Sequence, residues 1–490
     1  MTGDLASTDI AAQLQRRRAA AADAWQLRDE IVLVGAGEPI PVPGRADITY
    51  PFVAHAEYFW LTDRNRPGGV LAFDPGEGWF DFPASVTVAD RLWSGAAEDD
   101  EPPGSPTADD LPAWLRAGDR ARRAVWLGVP AAGVPAAGVP PAGVPPAGVP
   151  PAGVPPAGVP PAGVPPAGVP PAGLPPAGLP PAGVPRDGGD QLTERLRLQL
   201  SAVRRPKDAV ELQRMRAAQR ATRAAFARVA EFLADGVTER QAQIELEAAA
   251  FRHGAAAMGY DTIIGSGPNA AVLHFMPTGR VMRRGELVLI DAGAEQRGYV
   301  SDITRTFCVG GVMSETQQEL HAIVHAAQRA AIERVQPGVE WREVHRTAAL
   351  TIADGLAAAG ILRAGSGGPE SLVESGAVGL FFPHGIGHLV GLGVRDAGEP
   401  LYERRQQPPP YPNLRIDLPL QAGMVVTVEP GVYFVPALLQ DPERRARYRG
   451  EVDWARVDRM LGFGGIRIED NLLVTADRHE VITGDVPLLG

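Results

Sequence analysis

The chain has a single cysteine, Cys308, only 6% aromatic residues and a deficit of positive charge. One thiol permits no intrachain disulfide and no cysteine-based zinc framework. Lys and Arg total 47 against 58 Asp and Glu, a formal charge of −11, which argues against a binder of phosphate backbones or anionic lipid. Long hydrophobic runs are missing as well. No stretch of roughly 18 residues is free of Gly, Pro and charge, so no membrane span is expected. Arg16-Arg17-Arg18 precedes an alanine run, but Asp23, Gln26, Arg28 and Asp29 interrupt it, unlike a signal peptide. The expectation is a soluble, cytoplasmic protein. What is present is 490 residues, 45% of them hydrophobic, enough for two cores.

Gly128 to Pro185 is a pentapeptide repeat of Gly-Val-Pro-Ala-Ala and then Gly-Val-Pro-Pro-Ala. It holds 21 of the 48 prolines and 12 of the 57 glycines, so the rest of the chain has an ordinary composition. Proline at two positions in five forbids helix and ladder hydrogen bonds, and the side chains are too small to fix a core. The repeat reads as a disordered, partly polyproline-II insertion. Residues 1–127 before it alternate short apolar runs with turns, at Glu30 to Val34, Pro51 to Leu61, Gly69 to Phe73 and Arg123 to Leu127, which suggests a small α/β domain. After it, Pro206 is expected to open a helix carrying Met215, Ala218, Ala221, Ala225, Val229 and Phe232 on one face. Thr238 with Gln241 gives a capping box for a second helix. Strands then dominate, with a further helix pair around 315–360, so residues 203–490 read as an α+β domain.

Four acids and two histidines in this domain are candidate metal ligands. Glu286 to Ala292 and Tyr299 to Val309 read as strands of a hairpin, and with Gln296-Arg297 at the tip Asp291 faces Asp302. Cross-strand Cβ atoms lie about 4.5–5.5 Å apart, so two carboxylates there call for a cation or a shared proton. A metal is favoured, because Ile290 and Ile303 flank them. His384 and His388, four apart in F-F-P-H-G-I-G-H-L-V-G, share one side whether the segment is strand or turn. Glu429 ends an apolar strand before Pro430. Glu469 shares a strand face with Arg467, which would supply a fixed positive partner. His321 and His325 lie on a charged helix without H-E-x-x-H and read as solvent-side residues. Ser266 and Ser301 lack a nucleophile-elbow context.

The phrases D-A-G with S-D-I-T-R-T-F, H-G-I-G-H, T-V-E-P-G and G-G-I-R-I-E-D, in this order, closely resemble the pita-bread metallopeptidases. Tyr50 to Asp63 looks like the amino-terminal domain of aminopeptidase P and prolidase. The resemblance implies an α+β fold, a C-terminal pita-bread catalytic domain preceded by a smaller α/β domain. It implies two Mn²⁺ ions, Co²⁺ or Zn²⁺ being alternatives. Asp291 would chelate one ion, Asp302 and Glu469 would bridge both, and His388 and Glu429 would complete the other. Glu429 would also shuttle a proton to the leaving proline nitrogen, His274 would lie beside the substrate and His384 would steady the tetrahedral intermediate.

Within that family the insertion Ala437 to Gly462, Arg415 and Tyr260 look like prolidase, where the arginine grips a dipeptide carboxylate. One position departs. Arg395 stands where the family usually has histidine, seven residues after the ligand histidine. Arginine cannot shuttle a proton near neutral pH. It could bind a substrate carboxylate or pair with Asp396. The reading is therefore an Xaa-Pro metallopeptidase acting on proline-containing peptides, leaning to dipeptides, with aminopeptidase P as the alternative. A non-catalytic pita-bread binding module is the reading from another class. A homodimer is expected, with no nucleic-acid or membrane partner.

Overall fold

The runs at 30–34, 69–73 and 123–127 are rich in Val, Leu, Ile and Phe, and they form strands Ile31–Gly35, Val70–Asp74 and Ala124–Leu127 in a computed structural model of the chain. Residues 7–45, 48–95, 105–128, 187–399, 404 and 413–487 are described. Beyond Gly128, the repeat lies outside the described residues. Two compact units are found. One comprises Leu27–Tyr58 and Arg64–Leu196, the other Met1–Gln26, Phe59–Asp63 and Arg197–Gly490.

In the smaller unit Ile31–Gly35 runs antiparallel to Val70–Asp74 and parallel to Ala124–Leu127, and Gly78–Phe82 closes the other edge. Ile31, Leu33, Val70, Ala72 and Phe82 bury one face of this sheet with Leu111 and Leu115 of a short helix. The run Pro51 to Leu61 is not a strand. Its second half is the helix Ala56–Thr62, where Ala56, Glu57 and Leu61 favour helix and Glu57 suits a first turn.

The larger unit begins with helix Ser7–Trp25. Arg17 of this helix donates from Nε to Asp208 Oδ2 at 2.7 Å, which explains why the helix groups with the C-terminal residues and not with the small sheet. Asp208 also decides where the next helix starts. Its carboxylate accepts from Glu211 N at 2.9 Å, and Glu211 reciprocates to Asp208 N at 3.0 Å. The helix is therefore Ala209–Phe232, and Pro206 lies ahead of the cap rather than inside the first turn. Met215, Ala218, Ala221, Ala225 and Val229 are buried as their spacing requires. Helix Glu239–Arg252 carries the expected Thr238/Gln241 capping box.

The helix pair is Glu315–Glu333 and Trp341–Ala358. His321, expected at the solvent, is 7% exposed, because Leu320, Val324 and Ala327 beside it turn that face onto the main core. No helix among the described residues is long and apolar enough to cross a membrane.

Strands Ile263–Ser266, Leu287–Ala292 and Ile303–Cys308 form one antiparallel sheet, and Val425–Val428, Asp470–Val474 and His479–Val481 another. The hairpin register differs from the sequence expectation. Thr304, not Asp302, faces Asp291. The ladder continues outward through Glu295↔Val300 and Gln296↔Tyr299, so the two-residue tip is Arg297-Gly298. Both tip residues have positive φ, 49° and 81°, the requirement of a type I′ turn. Because the slip is two residues, side chains keep their face, and Asp302 lies on the diagonal from Asp291.

Candidate metal centre

Asp291 sits within Leu287–Ala292, Asp302 just before Ile303–Cys308, and Glu469 beside them through an isolated bridge from Thr304. Glu469 N donates to Thr304 O at 3.0 Å, and Thr304 Oγ1 donates to Glu469 Oε2 at 2.6 Å. Asp302 is fixed by Asn471, which accepts from Asp302 N at 2.9 Å and donates to Asp302 O at 2.6 Å. The histidine segment docks on Val425–Val428. His388 N donates to Thr427 Oγ1 at 3.0 Å, Thr427 N to His388 O at 2.9 Å, and Glu429 N to Ile386 O at 2.8 Å. Gly387 permits this approach, since a Cβ there would lie 2.2 Å from Thr427 O.

All five expected ligands therefore converge. Asp302, His388 and Glu469 each present a ligand atom within 4.8 Å of the others. His388 Nε2 is 3.4 Å from Asp302 Oδ2 and 3.9 Å from Glu429 Oε1. Asp291 is reached through Tyr260, whose hydroxyl lies 2.7 Å from Asp291 Oδ1 and 2.6 Å from Asp302 Oδ1. Arg467 Nη2 donates to Asp291 Oδ2 at 2.5 Å.

Tyr433 is a member of the site that the sequence reading did not single out. Its hydroxyl accepts from Arg467 Nη1 at 2.9 Å and lies 2.9 Å from His384 Nε2. His384 Nδ1 lies 2.8 Å from Gly385 O. A carbonyl only accepts, so Nδ1 carries the proton and Nε2 takes the tyrosine's hydrogen bond. Tyr433 lies on strand Gly431–Tyr433 directly after Glu429, paired with Gly465–Arg467.

His274, Arg395 and Arg415 are exposed. Partial burial lowers the proton affinity of His274, and the charges of Arg467, Arg395 and Arg415 lower it further. The Arg415 backbone lies close to the segments that carry Arg395 and His384, because a Cβ on Gly398 would lie 3.8 Å from Arg415 O, and one on Gly385 would lie 3.6 Å from Arg415 N. Arg395 does not have Asp396 as its partner. Asp396 is taken by Arg204 Nη2 at 2.6 Å and Lys207 Nζ at 2.9 Å, and Lys207 also donates to Arg204 O at 2.7 Å.

Four carboxylates and one imidazole thus cluster together with one contacting guanidinium. Burial drives the Glu469 carboxyl well above the ordinary range, and the neighbouring Asp302, Glu429 and Asp291 add to it. Burial also raises Asp291 against the pull of Arg467, and pushes Glu429 up to about 7. For His388 burial acts downward, but the hydrogen bond and charge of Asp302 outweigh it and the imidazole is raised. Burial with the Arg467 charge holds His384 down to about 3, so it is neutral. Tyr260 lies between the two acids. One phenol proton cannot serve Asp291 and Asp302 at once, and Arg467 donates to Asp291, so two ionised carboxylates there call for a further cation beside Asp302. The donor set fits divalent metal ions.

Residues 213–476, more than half of the sequence, match metallopeptidase family M24. The chain belongs to that family. This M24 chain is similar to a probable Xaa-Pro aminopeptidase of Emericella nidulans, 41% identical over 234 residues, 47% of this chain and 49% of that one. It is also similar to an uncharacterized peptidase of Saccharomyces cerevisiae, 35% identical over 287 residues, 58% and 53% of the two chains. The match thus spans about half the length of these curated relatives. Among solved structures, Pseudomonas aeruginosa aminopeptidase PepP has a TM-score of 0.70 at 24% identity, over 97% of this chain and 95% of that one. Proline aminopeptidase P II from Yersinia pestis has a TM-score of 0.69 at 25% identity, over 97% and 96%. The fold of the M24 chain is accordingly the α+β pita-bread domain with a smaller domain before it.

Proposed function

We propose that this M24 chain is a two-metal peptidase that hydrolyses the bond preceding proline, with Xaa-Pro dipeptides as its preferred substrates. The observation that carries the reading is the clustering of Asp291, Asp302, His388, Glu429 and Glu469. These five residues would hold the ions. Oxygen donors with a single imidazole favour manganese, and cobalt or zinc suit the same set. When bound, two such ions supply an activated water and polarise the scissile carbonyl.

The remaining chemistry belongs to the chain. Glu429, 3.9 Å from both His388 and His384, is placed to carry the proton to the leaving proline nitrogen. His384 faces the developing oxyanion once its Nδ1–H turns from the Gly385 carbonyl. Tyr260 and Arg467 keep Asp291 and Asp302 in their orientations. His274 borders the substrate. Arg415 takes the free carboxylate of a dipeptide, and Arg395, without Asp396 as a partner, reinforces that positive edge.

The names of the relatives favour a second reading, an aminopeptidase that removes the residue before proline from longer peptides. Hydrolysis rates after manganese loading, for Xaa-Pro dipeptides against Xaa-Pro tripeptides and longer peptides, separate the two. Faster cleavage of dipeptides is expected. Cleavage of the longer peptides alone would assign the aminopeptidase activity. No hydrolysis of any substrate by a chain with two bound ions would assign the binding module.

A further inference from the structure

Glu239 is the first residue of helix Glu239–Arg252, and its side chain is fully buried although nothing in the proposed reaction uses it. Its carboxylate accepts five hydrogen bonds. Oε1 receives Ser266 N at 2.9 Å, Ser266 Oγ at 2.8 Å and Asn269 Nδ2 at 2.9 Å. Oε2 receives Thr278 N at 3.2 Å and Thr278 Oγ1 at 2.6 Å. The donors stand at the two ends of one loop, 266–278, so a single carboxylate closes it. The helix start adds backbone bonds to the same end, Glu239 N to Arg280 O at 3.1 Å and Arg240 N to Thr278 O at 2.9 Å. The first turn of a helix also favours a negative charge.

His274 is carried by this loop. Leu273 and Phe275 on either side of it pack against the cluster formed by Ile263, Ala270, Leu289 and Tyr433. Tyr433 in turn holds Arg467 and His384. The loop is pinned from below as well, because a Cβ on Gly464 would lie 2.2 Å from Gly267 O. The segment that bears His274 lies between the clasped ends.

We propose that Glu239 is a positioning residue, whose carboxylate closes the 266–278 loop and thereby sets His274 against the metal cluster. This rests on the reading of His274 as a substrate-side group. The test is a double-mutant cycle of Glu239→Gln and His274→Ala in the manganese-loaded enzyme, with amide hydrogen exchange of the loop measured alongside. A glutamine keeps the shape but turns one acceptor into a donor opposite the Ser266 or Thr278 N–H. Glu239→Gln is expected to lower kcat/KM by about ten- to hundredfold, since small misplacements of reacting groups cost that much. The same change in the His274→Ala background is expected to add little, and exchange in 266–278 is expected to quicken. Equal losses in both backgrounds, or unchanged exchange, would overturn the proposal. If His274→Ala alone leaves turnover intact while Glu239→Gln still quickens exchange, the clasp stands and the reading of His274 falls. Thr278→Val removes only one of the five bonds, and a weaker effect of the same kind is expected should Glu239→Gln not fold.

Discussion

Arg467 and Asp291 are 176 residues apart in sequence and joined by a 2.5 Å charge-assisted hydrogen bond. The same guanidinium reaches Tyr433 through Nη1 at 2.9 Å and Thr304 through Nε at 3.1 Å. Three partners in three directions use the planar fork, which an ammonium cannot reproduce. Arg467→Lys should therefore keep the charge but lose the geometry. We expect kcat to fall by roughly one to two decades, the scale of a misoriented reacting group. Steady-state kinetics together with metal analysis check this. Unchanged kcat would remove Arg467 from the site.

Asp302 shares the Tyr260 hydroxyl with Asp291 and lies beside His388 and Glu469. An Asp302→Asn side chain would present an amide to that cluster with one fewer charge. Metal content and turnover should drop together. Two ions per chain still bound in the variant, measured by elemental analysis, would show that Asp302 is not a shared ligand.

Arg415→Ala should raise the Michaelis constant for Xaa-Pro dipeptides selectively. A hydrogen bond to a charged group contributes about 1.5–3 kcal/mol, or roughly one to two decades in binding. Longer substrates carry no carboxylate at that point and should be little affected. Arg395 can bind the same group, so Arg395→Ala and the double variant complete the series. Equal effects on short and long peptides throughout would favour the aminopeptidase reading.

His345 gives a pH dependence of stability separate from the metal site. Burial lowers its imidazole to about 4, and its ring stacks on Phe382 with centroids 5.2 Å apart. On acidification the unfolded chain takes up a proton near the ordinary value of 6.5, while the folded chain does not until about 4. This contribution is full above pH 6.5 and is lost as pH falls toward 4, about 3 kcal/mol in all. The drop in urea midpoint between pH 7 and 5 should be smaller in His345→Asn than in the parent. Parallel drops would show that His345 does not titrate in this way.

The acids were legible because alternation puts a charge where an apolar strand expects none, the histidines stood out in a glycine-rich apolar stretch, and the resemblance selected five of these six residues. The hairpin register was not, because its tip requires positive φ at Arg297, a residue that seldom adopts it. Glu239 did not stand out in the sequence, since nothing local reveals donors 27 to 39 residues away. Tyr433 was hidden for a related reason. Its partners His384 and Arg467 come from segments that meet only in the folded unit. The helix Ser7–Trp25 read as part of the first domain by position, whereas Arg17 ties it to Asp208.

Lys207 is the one lysine of the chain, and its side chain is 0% exposed, its ammonium enclosed by Asp396 and the Arg204 carbonyl. All other permanent side-chain cations are guanidinium groups. Acylating reagents specific for ε-amines therefore find no accessible target on the native chain. Their reaction at Lys207 becomes a clock for opening of the buried Arg204–Asp396 cluster, readable by mass at a single site and without any introduced label.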